Sequence, residues 1–347
     1  MEKVAYLGMD VHPGNITLGN MDGEGGWRGN VEFKTSERNI VEALRAVPAK
    51  EKYLVLEETN LARWVAQVAR PYVTKVMVAD PRENALIYKS PYKKDEVDTK
   101  KLCRLARLGE IKIIYHALTD DRAIFKTAVQ HYLDMRDQQV RLKGKIKAKY
   151  RYWGVIKVDG ETVYGSEGRE KYLEQIQHFA VVRQLEQLYR VMDETVLMQG
   201  LALKQVKQLG RSYPEVREFK KIPGVGDIGA HVFDAFIQTP DRFPGRRQLW
   251  RYCRLGIREH SSDGKPLGYK MLDKSGVSEL KALSYMAWMT AQKGDNEVKK
   301  FYLQSLHHTH NHVHARLNTQ RKILAVMYGL WRKGEKYRAE KFLGSSD

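Results

Sequence analysis

The sequence predicts an α/β domain over residues 1–117 followed by helices to the end of the chain. Three observations carry this. Short apolar runs bounded by Gly-, Pro- and Asp-containing turns fill the first third, the mark of buried strands. From residue 118 the apolar residues instead recur three and four apart over long stretches, the period of a helix. With 42% hydrophobic and 29% charged residues in 347, the composition is that of a folded chain with a sizeable core, and the length suits two or three domains.

Residues 4–11 (VAYLGMDV), an apolar run ending on an acid, form the first strand. Ile16-Thr17-Leu18 and, after a Gly-rich turn at 22–26, the alternating segment Trp27 to Phe33 form the second and third. Ser36 is placed to cap a helix whose Ile40, Val41, Leu44 and Val47 fall at helical spacing, with Pro48 just beyond. Lys52 to Glu57 is a fourth strand ending on a carboxylate, and Leu61, Val65, Val68 and Ala69 line a second helix. Lys75 to Ala79 is a fifth strand, and Asp95 to Arg107 a third helix with Val97, Leu102, Leu105 and Leu108 on its apolar side. The order β-β-β-α-β-α-β-α is that of the RNase H-like fold.

Past Leu118 a long helix passes through Phe125, Val129, Leu133 and Met135 into a basic stretch and breaks at 154–168. A second long helix from Glu170 to about Leu209, with Leu173, Ile176, Leu185, Leu188, Met192 and Val196 at spacings of three and four, would make residues 118–211 an antiparallel coiled-coil hairpin. The same seam also fits ordinary bundle core. Residues 212–347 read as a C-terminal helical domain, in which Lys221-Ile222-Pro223-Gly224-Val225-Gly226 before an apolar helix resembles a helix-hairpin-helix element. Gly224 and Gly226 would let backbone N–H groups approach a phosphate; a plain helix-helix turn is the alternative.

The chain carries 60 Lys and Arg against 42 Asp and Glu, a net charge of +18 that favours polyanions. Gln138 to Val158 holds no acid, while Arg141, Lys143, Lys145, Lys147, Lys149 and Arg151 occupy every second position, interleaved with Tyr150, Tyr152 and Trp153. That composition suits nucleic-acid phosphates, with a solvated helix face as the alternative. The longest apolar runs fall far short of the ~20 residues of a membrane span. The start of the chain lacks signal-peptide character, so a cytoplasmic protein without a membrane partner is expected. Cys103 and Cys253 alone supply neither a disulfide framework nor a cysteine zinc site. Among His307, His308, His310, His312 and His314, His310 and His314 would lie one turn apart on a helix, a spacing that can ligate zinc, but no carboxylate or cysteine completes the set nearby and a solvated or nucleic-acid-facing helix is the favoured reading.

Asp10 closes the first strand, Glu57 the fourth, and Asp95 and Asp98 share one face of the third helix. Taken singly, these acids read as turn or cap residues. Taken jointly, an oxygen-only set suits Mg²⁺, which bridges carboxylates to substrate phosphates and can stabilise both oxygens of an in-line phosphoryl displacement. Actin-like sugar kinases also open on a strand ending in Gly-x-Asp, but their later Gly-rich phosphate segments are missing. Downstream, Ser261-Ser262-Asp263-Gly264-Lys265 and Lys274-Ser275-Gly276 place serines in Gly-containing loops beside basic residues, suited to approach a phosphodiester.

Together these motifs resemble the DEDD insertion-sequence transposases, which join a RuvC-like N-terminal domain to a C-terminal domain carrying a serine. The first acid lies in Gly8-Met9-Asp10, the glutamate in Leu56-Glu57-Glu58-Thr59-Asn60, and the last pair in Lys93-Lys94-Asp95-Glu96-Val97-Asp98-Thr99. The C-terminal signature appears as Pro223 to Gly226, Phe243, Leu255-Gly256, Ser262-Asp263-Gly264-Lys265 and Lys274 to Lys281. Asn60 and Thr99 stand where the family has Gly and Ala, and Asp263 where it has Gly; Glu58 offers a second glutamate, though strand alternation favours Glu57. The resemblance implies a RuvC-like catalytic domain over 1–117 whose acids hold Mg²⁺. It further implies Ser262, or Ser261, as a nucleophile forming a phosphoserine with DNA, and Lys265 beside it as a nucleic-acid contact. Donor and target DNA, a structured non-coding bridge RNA as guide, and a homo-oligomer (dimer or tetramer) with composite sites are the implied partners. Two further readings stay open: a RuvC-like nuclease or Holliday junction resolvase using water, and a non-enzymatic nucleic-acid-binding relic.

Overall fold

The computed structural model describes residues 2–81, 95–115, 120–158, 160–262 and 265–344. The chain divides into two units, Met1–His116 and Ala117–Asp347.

In the first unit β1 (Glu2–Val11), β2 (Asn15–Asp22) and β3 (Trp27–Lys34) form an antiparallel meander. Next to β1 lie β4 (Ala49–Glu57) and β5 (Lys75–Ala79), both parallel to it, and then the antiparallel β6 (Ile113–Ile114), so the order is β3-β2-β1-β4-β5-β6. Of these strands only β6 departs from the sequence expectation, since two residues carry no period to read. Leu7, Met9, Leu54 and Leu56 pack on one face beneath Ile40 and Leu44 of α1 (Glu37–Ala46) and Val65 and Ala69 of α2 (Ala62–Ala69). Ser36 caps α1 as expected, accepting the Asn39 N–H at 3.2 Å. On the other face Val55, Met77 and Ala79 meet Leu102 and Ala106 of α3 (Asp95–Leu108). A side chain at Gly8 would put its Cβ 2.2 Å from the Thr99 carbonyl oxygen. The helix backbone therefore rests directly on β1, an approach that only glycine permits.

In the second unit α4 (Asp120–Tyr152) and α6 (Phe179–Gly210) form an antiparallel hairpin. At its base, Phe125, Val129 and Leu133 of α4 and Ala202 and Val206 of α6 share one core with Phe219, Phe233, Leu280, Leu324 and Phe342. The segments 118–211 and 212–347 are thus built around a common core. A second core fills the tip, where Ile146, Tyr150, Leu185 and Tyr189 enclose Val155, Val158, Val163 and Ile176 of the insert between the helices.

Two expectations about this hairpin are corrected. The helix expected from Glu170 is two pieces, α5 (Ser166–Leu173) and α6, separated at 174–178. Ile176 leaves the helical path to pack, 7% exposed, into the tip core, and that burial outweighs one more helical turn. Val196, expected on the seam, is 43% exposed, because it faces away from α4.

After α7 (Glu215–Phe219), α8 (Asp227–Ile237) and α9 (Arg246–Tyr252), the all-helical expectation fails once more. Ile257–Ser262 (β7) and Lys265–Leu272 (β8) form an antiparallel hairpin. The unit then continues through α10 (Ser278–Ala291), α11 (Glu297–Thr309), α12 (His312–Lys333) and α13 (Ala339–Gly344).

Candidate active site and nucleic-acid interface

β1 and β4 are parallel neighbours with Met9 opposite Leu56, so Asp10 and Glu57, each one residue further, end side by side. Met9 and Leu56 belong to the core under α1 and α2, whereas Val55 faces α3. Period-two alternation therefore assigns Asp10 and Glu57 to the α3 side and Glu58 to the opposite one. Thr99 crosses Gly8 and Gly19, while Arg107, two turns on, reaches Gly25 in the β2–β3 turn. Because Ala5 pairs with Asp22, that turn lies at the start of β1. Hence α3 runs antiparallel to β1, and its N-terminal acids lie toward the strand end that carries Asp10 and Glu57.

The three described carboxylates share an end and a face, and each has company. Asp10 lies 3.4 Å from Nε2 of His12, and Asp98 accepts from Lys101 Nζ at 3.3 Å. Asp95 opens α3 one turn before Asp98, and its side chain lies outside the described residues. Among the described residues no three His, Cys, Asp or Glu side chains gather closely enough to hold a metal ion, although the donor chemistry, carboxylate oxygen throughout, is that of a Mg²⁺ site. Sequence reasoning does not single out His12 and Lys101; the signals present are Asp-x-His at a strand end and a lysine three residues after Asp98 on a helix.

Ser261 and Ser262, expected in a loop, instead end β7, paired with Pro266 and Lys265. Asp263 and Gly264 lie outside the described residues, but an Asp-Gly pair between two alternating segments is itself a hairpin signal in the sequence. The hairpin's base is tied down closely. Asp273, at its exit, accepts from Arg251 Nε at 3.0 Å, from the Ser275 N–H at 2.8 Å and from the Ser275 hydroxyl at 2.6 Å. Burial raises its carboxyl, but these bonds together hold it below the usual carboxylate range. Ser275 is thereby committed to shaping the turn. Arg321 of α12 donates to the Leu255 carbonyl at 2.9 Å, and the Val277 N–H to that of Tyr252 at 2.7 Å.

Between α7 and α8 the turn Pro223–Gly226 uses its glycines differently. Gly224 has φ +85°, and a Cβ there would lie 2.0 Å from the Ala287 carbonyl oxygen of α10. Packing accounts for the glycine at this position. Gly226 precedes α8 with φ −69°, and a Cβ added to it would meet nothing within 4 Å; its own N–H is donated to the Gly224 carbonyl at 3.1 Å and its carbonyl accepts from the Ala230 N–H at 3.0 Å. The first residue of α8, Asp227, already places a carboxylate at the helix N-terminus, paired with Lys207 at 2.7 Å and Lys220 at 2.6 Å. Burial works against its ionisation, yet the two lysines hold its pKa at about 2.

Along α4 a two-residue step rotates about 200°, so alternate cations fall into two opposed stripes. Lys143, Lys147 and Arg151 face the insert. Lys143 pairs with Glu161 and lies 4.8 Å from the Tyr164 ring centre, Lys147 donates to the Gly160 carbonyl at 2.8 Å, and Arg151 reaches the Val158 carbonyl at 3.5 Å. Arg141, Lys145 and Lys149 form the other stripe, with Lys149 hydrogen-bonded to Gln184 of α6. Half of the basic row thus holds the tip together. Tyr150 is fully buried, while Tyr152 and Trp153 are exposed. Burial pushes the Cys103 thiol up to about 12 and that of Cys253 up as well, which keeps both protonated. In the histidine run, His312 Nδ1 meets the Tyr302 hydroxyl at 2.9 Å and His310 ends α11 in the left-handed conformation.

Residues 216–303 match the model of the transposase IS116/IS110/IS902 family. The match runs from α7 into α11 and takes in the Pro223–Gly226 turn and the β7–β8 hairpin. It supports an insertion-sequence transposase, a DNA-processing enzyme that binds DNA. Among curated proteins none matches the chain. No described helix is long and apolar enough to cross a membrane.

Proposed function

We propose that this protein is a DNA transposase of an insertion sequence that cuts and exchanges strands through a serine nucleophile, with acids of an RNase H-like N-terminal unit assisting. The observation that carries it is the family match over 216–303, which encloses the hairpin bearing Ser261 and Ser262. The sheet order β3-β2-β1-β4-β5, with Asp10 and Glu57 ending adjacent strands on the α3 side, supports the RuvC-like part of the reading.

In this reading Asp10, Glu57, Asp95 and Asp98 would hold Mg²⁺, which when bound supplies Lewis-acid stabilisation of the phosphoryl oxygens. The chain's own residues do the rest. Ser262 Oγ forms the new ester bond to phosphorus, the bond from phosphorus to the departing DNA oxygen breaks, and that oxygen takes up a proton. The serine's proton passes to a nearby base, because an alcohol at its ordinary pKa is a weak nucleophile. His12, beside Asp10, and Lys101, beside Asp98, orient two of the acids. The cationic surface of α4 and the exposed turn at Gly226 contact donor and target DNA and a structured guide RNA, and the protein works as a homo-oligomer.

The test is a trapped strand-exchange reaction on a DNA carrying the element's ends. Ser262→Ala should abolish both the covalent protein–DNA adduct and recombination, while folding and DNA binding stay near wild type. Loss with Ser261→Ala instead moves the role by one residue. Full activity in both variants, with activity lost in Asp10→Asn, would refute the nucleophile and leave a nuclease that uses water.

A further inference from the structure

The tip of the α4–α6 hairpin exposes side chains that a folded chain ordinarily buries. Tyr152 is 83% exposed, Ile156 81% and Phe179 73%. Tyr152 and Trp153 meet edge to face at 5.7 Å, Trp153 packs against His178 at 4.8 Å, and the Arg183 guanidinium lies 5.2 Å from the Phe179 ring centre. From Tyr152 and Trp153 a groove of about 740 Å³ runs down between the two helices, lined by Lys145, Lys149, Gln184 and Gln187 among others, with no acid among its described lining residues.

We infer that this groove and its aromatic rim bind unpaired nucleotides of a nucleic-acid strand, Tyr152 stacking on a base while Lys145 and Lys149 meet the phosphates. The inference rests on the nucleic-acid function proposed above and adds to it which form of nucleic acid this surface takes. Two features point to a single strand, and a third leaves the lysines accessible to it. An open ring face offers a base the stacking it lacks outside a duplex, and in a duplex those base faces are already covered. Gln187, and Gln184 through the amide N–H groups left by its oxygen's bond from Lys149, offer groups that base edges can pair with, while an unbroken phosphate array would need cations alone. The second stripe of α4 is outward, since the first is occupied by the insert. A second copy of the hairpin seated here would bring its own Lys145 and Lys149 against these, so like charge disfavours self-association through the groove.

Fluorescence anisotropy of the full-length protein tests this with three probes: a labelled 12-nucleotide adenine strand as RNA, the same strand as DNA, and a blunt DNA duplex. Tyr152→Ala should weaken single-strand binding roughly 5- to 150-fold, in one or both of the strand chemistries, the affected one identifying the source. Tyr152→Phe should stay within about twofold, because stacking needs the ring and not the hydroxyl. Duplex affinity should be unchanged by either. Lys145→Gln should flatten the plot of log affinity against log salt for the single strand by about 0.7. The inference is overturned if Tyr152→Ala leaves single-strand binding intact or weakens duplex binding equally. It is also overturned if the substitution instead abolishes binding to anionic lipid vesicles or changes the oligomeric state. Should the wild-type protein bind no probe at all, the nucleic-acid reading itself has failed.

Discussion

Replacing Gly224 by alanine should destabilise the second unit far more than the same change at Gly226, two residues on. At Gly224 two costs add. An L side chain at φ +85° pays ~1–2 kcal/mol for the left-handed backbone. Its Cβ would also stand 2.0 Å from the Ala287 carbonyl oxygen, so the α10 backbone must retreat by about 1 Å, an overpacking that costs ~1–3 kcal/mol. The sum of ~2–5 kcal/mol corresponds to a fall in melting temperature of ~5–20 °C for a unit of this size. Gly226→Ala has open space and an ordinary φ of −69°, leaving only the poorer N-cap, worth ~0.5–1 kcal/mol. Urea unfolding followed by tryptophan fluorescence reports on this directly, since Trp250, Trp288 and Trp331 all lie in the second unit. DNA binding by the two variants adds a second readout: Gly226→Ala should be folded and weakened in binding if its backbone meets a phosphate. A Gly224→Ala protein as stable as wild type would refute the packing argument.

Asp227 has a folded pKa of about 2 against an ordinary 3.8. Its contribution is therefore present above pH ~4 and is lost as the pH falls toward 2, a difference of about 2 kcal/mol at most. Asp227→Asn should lower stability at pH 7 by about that much and flatten the acid limb of the stability curve; an unaltered limb would show that Lys207 and Lys220 do not act through it. Arg122 joins the start of α4 to the fully buried Asp234 and to Glu215, and its guanidinium lies 3.8 Å from the Tyr213 ring centre. Removing it strands buried acid, so Arg122→Met should cost about 3–5 kcal/mol, and adding Asp234→Asn should recover part of that loss in a double-mutant cycle. Strict additivity of the two would count against the pairing.

Much of this architecture is legible along the chain. Short continuous apolar runs mark β1, β2, β4 and β5 where they lie, and an acid that interrupts or follows such a run falls at the strand's end, so Asp10 and Glu57 are recognisable as strand-end acids before any coordinates. Helical spacing likewise marks α1 to α4, because a helix that buries one face repeats its apolar residues every three or four positions. These signals are local: each residue reports only whether its own side chain is to be buried. Which distant residue does the burying is not written in any window. The break at 174–178 follows from a tip core that draws in Ile176, with Val158 and Val163 as its neighbours. The glycine at 224 answers to a carbonyl at Ala287, and Arg122 to a carboxylate 112 residues away. The even row from Arg141 to Arg151 looks uniform in sequence, and only the fold of the insert against one side of α4 divides it into cations that hold the tip and cations that face outward. Local periodicity set the elements and their acids; contacts between residues far apart in the chain decided which polar groups were used up by folding and which were left for chemistry.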